Sequence, residues 1–137
     1  MSNVSETYNK LYTLFEERAS AIVNKHGKTV MSWDDVYATI GPKLRKDSIV
    51  HAWRSPTIQA NALAAGYRCV SSKGYYLTAG DGVDADVVQS WENFYDAAIP
   101  DNELYLGAEA CEWGVDSDEN NADSIIWPRL AVLADKL

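Results

Sequence analysis

The sequence is poor in cysteine, in basic side chains and in long apolar runs, and each shortage excludes a class of protein. Two cysteines, Cys69 and Cys111, form neither a disulfide framework nor a metal-binding Cys-x-x-Cys pair, so we expect buried free thiols. Twelve Lys and Arg against twenty Asp and Glu give a net charge of -8, which lacks the clustered positive surface that nucleic acid requires. No apolar run approaches the roughly 18 residues of a membrane span. We therefore expect no nucleic-acid partner and no membrane partner.

The sequence also lacks the patterns that hold metals or cofactors. Neither His26 nor His51 has a second His or Cys at ligand spacing. Residues 116–120 begin like a calcium loop, but the turn glycine and the closing Glu are missing. We therefore predict no metal site and no cofactor.

The composition that remains is that of an ordinary globular domain. Apolar residues make up 47% and charged residues 23% of the 137 positions, which argues against disorder and coiled coils. A chain of this length can bury one core, and no repeat or linker interrupts it. We expect residues 1–137 to form a single unit. Residues 1–10 are polar where a signal peptide would need an apolar segment, so no signal peptide is expected.

Taken in order, the chain alternates between helical and strand patterns. Apolar residues from Tyr8 to Val23 recur at helical spacing and predict a packed outer helix that ends near Gly27. Ser55 and Pro56 are typical of a helix start, and Gly66 of a helix end. Such alternation indicates an α/β fold with a parallel sheet. Strands are predicted at 29–33, 49–53, 67–72 and 104–106, and further helices around 91–95 and through 125–133.

Two motifs near the C-terminus carry a family resemblance. Residues 107–114 read Gly-Ala-Glu-Ala-Cys-Glu-Trp-Gly, and Trp127-Pro128-Arg129 follows after an acidic loop. They resemble the signature of β-N-acetylhexosaminidases (glycoside hydrolase family 20), which usually reads G-G-E-A-C-x-W-G-E and then W-P-R. The spacing between the two motifs fits that family without a gap. Weaker matches extend the resemblance from about Tyr8 to Leu137.

The resemblance places the predicted units in a larger architecture. A (β/α)8 TIM barrel needs about 250 residues, so four strand-helix units correspond to half of one. The resemblance implies the second half. The expected fold class is therefore α/β, with parallel strand-helix units forming the second half of a TIM barrel, and residues 1–137 as a single partial domain. Half a barrel leaves two strand edges open, which favours pairing with another chain.

Large aromatic side chains follow each predicted strand. Trp33 and Trp53 end the first two strands, Tyr76 follows the third and Trp113 the fourth. A lone tryptophan more often packs in a core, but in barrels the C-terminal ends of strands carry the active site. Indole faces suit an acetamido methyl group, and a phenol can hydrogen-bond the acetamido oxygen. By resemblance, the three tryptophans line the sugar pocket and Tyr76 holds the acetamido group.

Two positions depart from the family pattern. Thr78 stands where the family usually has Asp or Asn, and Val115 stands where it has Glu. In the family both polar groups bind sugar hydroxyls. Since valine cannot accept a hydrogen bond, hydroxyl recognition is expected to be weakened or altered. The substrate-binding set implied by the resemblance is Trp33, Trp53, Tyr76, Thr78 and Trp113.

The resemblance implies no catalytic residue in this chain. The family's Asp-Glu pair, which orients the acetamido group and protonates the leaving oxygen, and its sugar-clamping Arg both lie upstream. Asp34 and Asp35 form the one adjacent acidic pair at a strand end, but they match a different strand of the family. They are interpreted as loop or helix-start acids, with a catalytic pair as the alternative.

Two hypotheses about function follow from these motifs. The first is the C-terminal part of a β-N-acetylhexosaminidase that removes terminal β-linked N-acetylglucosamine or N-acetylgalactosamine by substrate-assisted retaining hydrolysis. This chain would supply the aromatic sugar pocket and would be inactive alone. The second is a non-catalytic carbohydrate-binding or assembly half-barrel. Expected partners are an amino-sugar glycan or glycoconjugate and an N-terminal half-barrel in cis or trans, or a second copy. The family is often lysosomal, secreted or periplasmic, so the compartment stays open.

Overall fold

A computed structural model describes residues 2–77, 90–115 and 117–137 of the chain. It divides into two compact units, Met1–Cys69 and Val70–Leu137. That the chain forms one domain stays a prediction. In chain order the elements are α1 (Ser2–Lys25), β1 (Met31–Trp33), α2 (Asp34–Ile40), a 3-10 turn (Gly41–Lys43), β2 (Ile49–Ala52), α3 (Pro56–Ala64), β3 (Arg68–Ser71), α4 (Trp91–Asp96), β4 (Tyr105–Ala108), α5 (Ala122–Ile126) and α6 (Arg129–Lys136).

The four strands form a parallel sheet in the order β1-β2-β3-β4. β1 pairs with β2 so that Met31 lies opposite Ile49 and Trp33 lies opposite His51. A helix follows each of the first two strands, which is the usual connection between parallel strands. The predicted α/β class with a parallel sheet is confirmed. The half-barrel stays a prediction.

Helix boundaries in the first unit follow the local signals in the sequence. α1 ends at Lys25, and Gly27 then adopts a φ of 66°, a left-handed conformation that favours glycine. At α3, the Ser55 hydroxyl accepts a hydrogen bond from the Thr57 N-H at 3.2 Å, and Pro56 occupies the first helical position. Gly66, with a φ of 84°, follows its end. These predicted boundaries are confirmed.

The core of the first unit surrounds β2, which lies between β1 and β3. Val50 and Ala52 on this strand are fully buried, and α3 packs against it. Tyr67 is also fully buried, and its hydroxyl donates a hydrogen bond to the Leu44 carbonyl at 2.8 Å. This bond satisfies the one polar group that the ring carries into the core. Other buried apolar side chains of this unit are Val36, Ile40, Leu44, Ala62, Leu63 and Cys69.

Helix α1 packs with only part of its apolar surface. Four residues of the predicted stripe, Tyr8, Leu11, Phe15 and Ile22, are exposed by 61 to 69%. Their spacing places them on one side of the helix, away from the side that contacts α2. The expectation that the whole stripe packs is therefore wrong for these four side chains. In the described part of the chain, no helix is long and apolar enough to cross a membrane.

The second unit has its own core. Tyr75, Leu77, Phe94 and Leu133 form a buried cluster, in which the rings of Tyr75 and Phe94 meet edge to face with centroids 5.2 Å apart. α4 begins with a capping box between Ser90 and Asn93 and packs against α6. This cluster joins the segment after β3 to both helices.

The final helical region consists of two helices, where the sequence predicted one. α5 ends at Ile126 and α6 begins at Arg129. Between them Trp127 is extended, with φ of -97° and ψ of 146°. The cause is Pro128, which has no N-H for the helix and disfavours a helical conformation at the residue before it. The prediction of one continuous helix through 125–133 is therefore wrong.

Candidate functional site

Two indoles, one exposed and one half-buried, lie side by side at the C-terminal ends of β1 and β2. Trp33 is the last residue of β1 and is 43% exposed, and Trp53 follows β2 directly. Their ring centroids are 6.5 Å apart and their planes are inclined by 80°. This edge-to-face arrangement is a favourable one for aromatic pairs. The structure thus brings together two of the predicted site residues.

Trp33 is supported from beneath by His51. The two rings stack with centroids 4.3 Å apart and planes inclined by 25°. His51 is almost completely buried, because it lies in the middle strand of this unit. One indole face therefore rests on a buried ring. The stacking of His51 on Trp33 was not predicted from the sequence, in which His51 was considered only as a metal ligand.

Asp34 holds the backbone that carries Trp53. Its side chain is fully buried at the start of α2. Oδ2 accepts hydrogen bonds from the backbone N-H groups of Trp53 at 3.2 Å and Arg54 at 3.1 Å. Oδ1 pairs with Arg54 Nε at 2.9 Å. A buried carboxylate needs such partners, since an isolated charge would be very costly to bury.

Asp35 holds the Trp53 side chain. Its Oδ2 accepts a hydrogen bond from the indole Nε1-H at 3.1 Å, and its Oδ1 pairs with Arg54 Nη1 at 2.9 Å. Asp34 and Asp35 both lie in the first turn of α2, which confirms their interpretation as helix-start acids. Their contacts with Trp53 and Arg54 were missed. The available signal was an acidic pair after one strand-end tryptophan and an arginine after the next.

A cavity of about 350 Å³ opens beside Trp33 and Asp35. Tyr12 on α1 forms part of its wall, together with Glu16. Burial raises the pKa of the Tyr12 phenol, and the charges of Glu16 and Asp35 raise it further against the opposing effect of Arg54. The phenol therefore stays protonated at neutral pH and can donate a hydrogen bond to a group in this cavity.

In the second unit the signature segment runs beside the chain that follows β3. The Glu109 N-H donates to the Ser71 carbonyl at 2.9 Å. Further on, the Cys111 N-H donates to the Tyr75 carbonyl at 3.0 Å, and the Cys111 carbonyl accepts from the Leu77 N-H at 2.8 Å. Tyr76 and Cys111 form a parallel bridge. The main chain around Tyr76 is thus fixed by the signature.

Tyr76 and Trp113 differ in their surroundings. Tyr76 is buried, whereas Trp113 is 56% exposed. Trp113 lies in a tight turn, in which the Glu112 carboxylate accepts a hydrogen bond from Gly114 N-H at 2.8 Å and Gly114 adopts a φ of 71°. The predicted position of each aromatic after its strand is confirmed. Thr78, the remaining predicted site residue, lies outside the described residues.

Neither thiol is suited to nucleophilic chemistry at neutral pH. Burial raises the pKa of Cys69 to about 11. Burial also raises the pKa of Cys111, against the lowering effect of a hydrogen bond with Ser72 and with a smaller raising effect from the charge of Glu109. Both cysteines are free, as predicted, although Cys111 is only partly buried. Among the described residues, no group of three or more His, Cys, Asp or Glu side chains could hold a metal ion.

Comparison with known proteins finds, over the whole chain, the family that the two C-terminal motifs resemble. The family model described as Glycosyl hydrolase family 20, catalytic domain, matches residues 1–137. Beta-hexosaminidase 3 of Arabidopsis thaliana is 33% identical over 135 residues, which is 92% of this chain and 24% of that protein. Beta-hexosaminidase subunit alpha of Bos taurus is 29% identical over 140 residues, 96% of this chain and 26% of that protein. This chain thus spans about a quarter of the length of these relatives.

Solved structures share the fold. A beta-N-acetylhexosaminidase from Bacteroides fragilis superposes with a TM-score of 0.72 at 20% identity, over 88% of this chain and 28% of that one. A GH20 exo beta-N-acetylglucosaminidase from Vibrio harveyi, in complex with N-acetylglucosamine, superposes with a TM-score of 0.76 at 22% identity, over 94% of this chain and 23% of that one. At these identities the likeness concerns the fold alone.

Proposed function

This chain belongs to glycosyl hydrolase family 20, and we propose that it supplies the aromatic sugar-binding part of a β-N-acetylhexosaminidase. The substrate is a glycan or glycoconjugate that ends in β-linked N-acetylglucosamine or N-acetylgalactosamine. The catalytic Asp-Glu pair comes from an N-terminal half-barrel, in cis or in trans. The chain alone is therefore inactive.

The pairing of Trp33 with Trp53 carries this proposal. Both indoles lie at the C-terminal ends of neighbouring parallel strands, where barrel enzymes bind their substrates. Trp33 presents one face away from the buried His51 ring. The planes of the two indoles are inclined by 80°, so the rings offer apolar surfaces at a steep angle. Such a corner suits the flat faces of a sugar ring and its acetamido methyl group.

The other residues assigned to sugar binding by the family pattern lie in the second unit. Trp113 is exposed in its turn and offers a further apolar face. Tyr76 is held by the signature segment through its bridge to Cys111, which suits a hydroxyl that must orient an acetamido oxygen. Thr78 completes the proposed substrate-binding set. Val115 is 47% exposed and has no acceptor to replace the family's Glu, so sugar hydroxyls are recognised differently here.

The contribution of this chain to catalysis is orientation. In a substrate-assisted reaction the acetamido oxygen of the sugar attacks its own anomeric carbon, so no enzyme nucleophile is needed. The rate then depends on holding the acetamido group in the attacking geometry. Rigid aromatic walls and a fixed phenol perform that task. Proton transfer to the leaving oxygen belongs to the partner half-barrel.

Complementation tests the proposal. The 137-residue chain is combined with an N-terminal hexosaminidase half-barrel that carries the Asp-Glu pair, and release of 4-nitrophenol from 4-nitrophenyl N-acetyl-β-glucosaminide is measured. Activity should require both parts and should fall at least a hundredfold in Trp53→Ala. Trp91→Ala is the matched control, because Trp91 is 47% exposed on α4 and outside the proposed set. Equal activity of the two variants would contradict the assignment of Trp53.

A second candidate function is a non-catalytic carbohydrate-binding or assembly half-barrel. Val115 in place of the family's Glu favours this function, because a protein that no longer catalyses hydrolysis could tolerate the loss of a sugar-binding carboxylate. The exposed stripe on α1 favours it as well, since apolar surface of this kind requires a partner. This hypothesis predicts a defined oligomer in sedimentation experiments and no activity after complementation. A stable, monodisperse monomer would argue against it.

A further inference from the structure

Two neighbouring carboxylates converge on one tryptophan at the proposed sugar site. Asp34 binds the backbone N-H of Trp53 at 3.2 Å, and Asp35 binds the indole N-H of the same residue at 3.1 Å. Arg54 ties the two acids together, because its Nε pairs with Asp34 and its Nη1 with Asp35, each at 2.9 Å. Main chain and side chain of Trp53 are thus held by separate groups.

The geometry of Asp35 suits the fixing of a ring. An indole attached to a strand end can rotate about two side-chain bonds, and a single acceptor for its only N-H removes much of that freedom. Asp35 is itself fixed, since its other oxygen is bound to Arg54 and its backbone begins α2. An aromatic ring that contacts a sugar can orient it only if the ring plane itself varies little in direction.

We infer that Asp35 is a positioning residue that sets the plane of the Trp53 indole against the sugar, with Asp34 and Arg54 as its support. The inference rests on the proposed function, because it takes Trp53 as a sugar contact. A helix-start acid that served only the dipole of α2 would need no bond to an indole. Both carboxylate oxygens of Asp35 are engaged, Oδ2 by the indole N-H and Oδ1 by Arg54, so its proposed effect on the sugar passes through Trp53.

The first test reads the indole directly, in the whole 137-residue chain without sugar. Nitrogen-15 labelling of the five tryptophans gives indole N-H signals, and Trp53→Phe identifies the one from Trp53. In Asp35→Leu this signal should move to the position of a water-exposed indole, and its exchange with solvent should accelerate about tenfold or more. The signals of Trp91, Trp113 and Trp127 should stay in place.

A matched control separates this effect from a general loss of an ion pair. Asp47→Leu removes a carboxylate that pairs with Arg45 at 2.7 Å on the surface of the same unit. It should leave the Trp53 signal unchanged. A Trp53 signal that is identical in Asp35→Leu and in the unaltered chain would overturn the inference, whatever the sugar data show. Asp34→Ala is less suited to this test, because its buried side chain also supports the fold.

The second test measures the consequence for the ligand in the complemented assembly. Inhibition by N-acetylglucosamine should weaken about tenfold in Asp35→Leu, the equivalent of one charge-assisted hydrogen bond. In a Trp53→Phe background, which has no indole N-H, Asp35→Leu should have no further effect. An unchanged inhibition constant in Asp35→Leu, with the indole signal displaced, would also overturn the inference. If the unaltered assembly neither binds sugar nor turns over, the proposed function fails, and the indole signal still reports on the Asp35 contact by itself.

Discussion

Trp33 stacks on His51 because β1 and β2 pair in a register that places these two residues opposite each other. Side chains opposite each other on parallel strands point to the same side of the sheet. A shift by one residue would replace His51 with Val50 or Ala52, and the indole would lose its aromatic support. The position of the exposed Trp33 ring in the proposed site thus depends on the buried His51 ring.

Removal of the His51 ring should weaken both the fold and the site. We expect His51→Ala to lower the free energy of unfolding by about 2 kcal/mol, from the lost ring contact and the space left in a buried strand. Urea unfolding measures this change. His51→Phe restores a flat ring and should recover most of the sugar affinity in the complemented assembly. Equal affinity of His51→Ala and the unaltered chain would contradict a supporting role for His51.

Loss of the Asp34 carboxylate should be more damaging to stability. We expect Asp34→Ala to cost about 3 kcal/mol or more, because two backbone N-H groups and part of a guanidinium lose their acceptor in a buried position. Urea unfolding followed by circular dichroism checks this prediction. Asp47→Ala removes an exposed acid paired with Arg45 and should leave the midpoint nearly unchanged.

Stability should decline at alkaline pH because of Cys69. Burial raises its pKa from 9.0 in the unfolded chain to about 11 in the fold. At pH values between 9 and 11, unfolding therefore releases the thiol proton. The stabilising effect of the neutral thiol is complete below pH 9 and is lost as the pH rises toward 11. Urea midpoints measured from pH 8 to 11 should therefore fall.

The control for this pH dependence is Cys69→Ala. Burial also raises the pKa of Cys111, which contributes in the same range, and of Tyr37 and Tyr75, which contribute at its upper end. The variant should therefore show a shallower decline between pH 9 and 11 rather than none. Parallel curves for the variant and the unaltered chain would show that Cys69 is not responsible.

The apolar stripe of α1 should matter for assembly and not for the stability of the isolated chain. Phe15 is 65% exposed, so Phe15→Glu should change the free energy of unfolding by less than about 0.5 kcal/mol. Complementation by the N-terminal half-barrel should be lost, because a charge would enter the interface. Glu17→Gln, on another side of the helix, is the control. Unimpaired complementation by Phe15→Glu would exclude this stripe from the interface.

Phe94 is expected to be the main stabilising side chain of the second unit. It is fully buried, contacts Tyr75 and lies in the same cluster as Leu133. Phe94→Ala should cost about 3 to 5 kcal/mol in unfolding experiments, from lost burial and the resulting cavity. Trp91→Ala changes an exposed ring on the same helix and should have little effect. Similar midpoints for the two variants would contradict this description of the core.

The sequence correctly predicted those helix ends that are set by interactions between near neighbours in the chain. Gly27, Gly66 and the Ser55-Pro56 pair mark helix ends because their preferred backbone conformations and hydrogen bonds involve only near neighbours. The break at Pro128 was equally local and could have been predicted, but the apolar pattern on both sides favoured one helix. The placement of an aromatic after each strand needed only the strand boundaries.

The site itself was predicted only in outline. The motif and its family resemblance directed attention to Trp33, Trp53, Tyr76, Thr78 and Trp113. They gave no indication that Asp35 binds the indole of Trp53 or that His51 lies beneath Trp33. These contacts join residues 18 apart in the chain, and many alternative partners are compatible with the same sequence pattern.

By itself, then, the sequence determined the order of the strands and of most helices, the parallel sheet and the family, but neither α2 nor the division between α5 and α6. Tertiary structure decided which side chains meet, because contacts between strands depend on the register of pairing and not on local preference. It also decided that four residues of the α1 stripe face outward, since burial depends on what packs against a helix and not on its periodicity alone. Hydrophobic spacing predicts that a surface can be buried; only the fold determines what covers it.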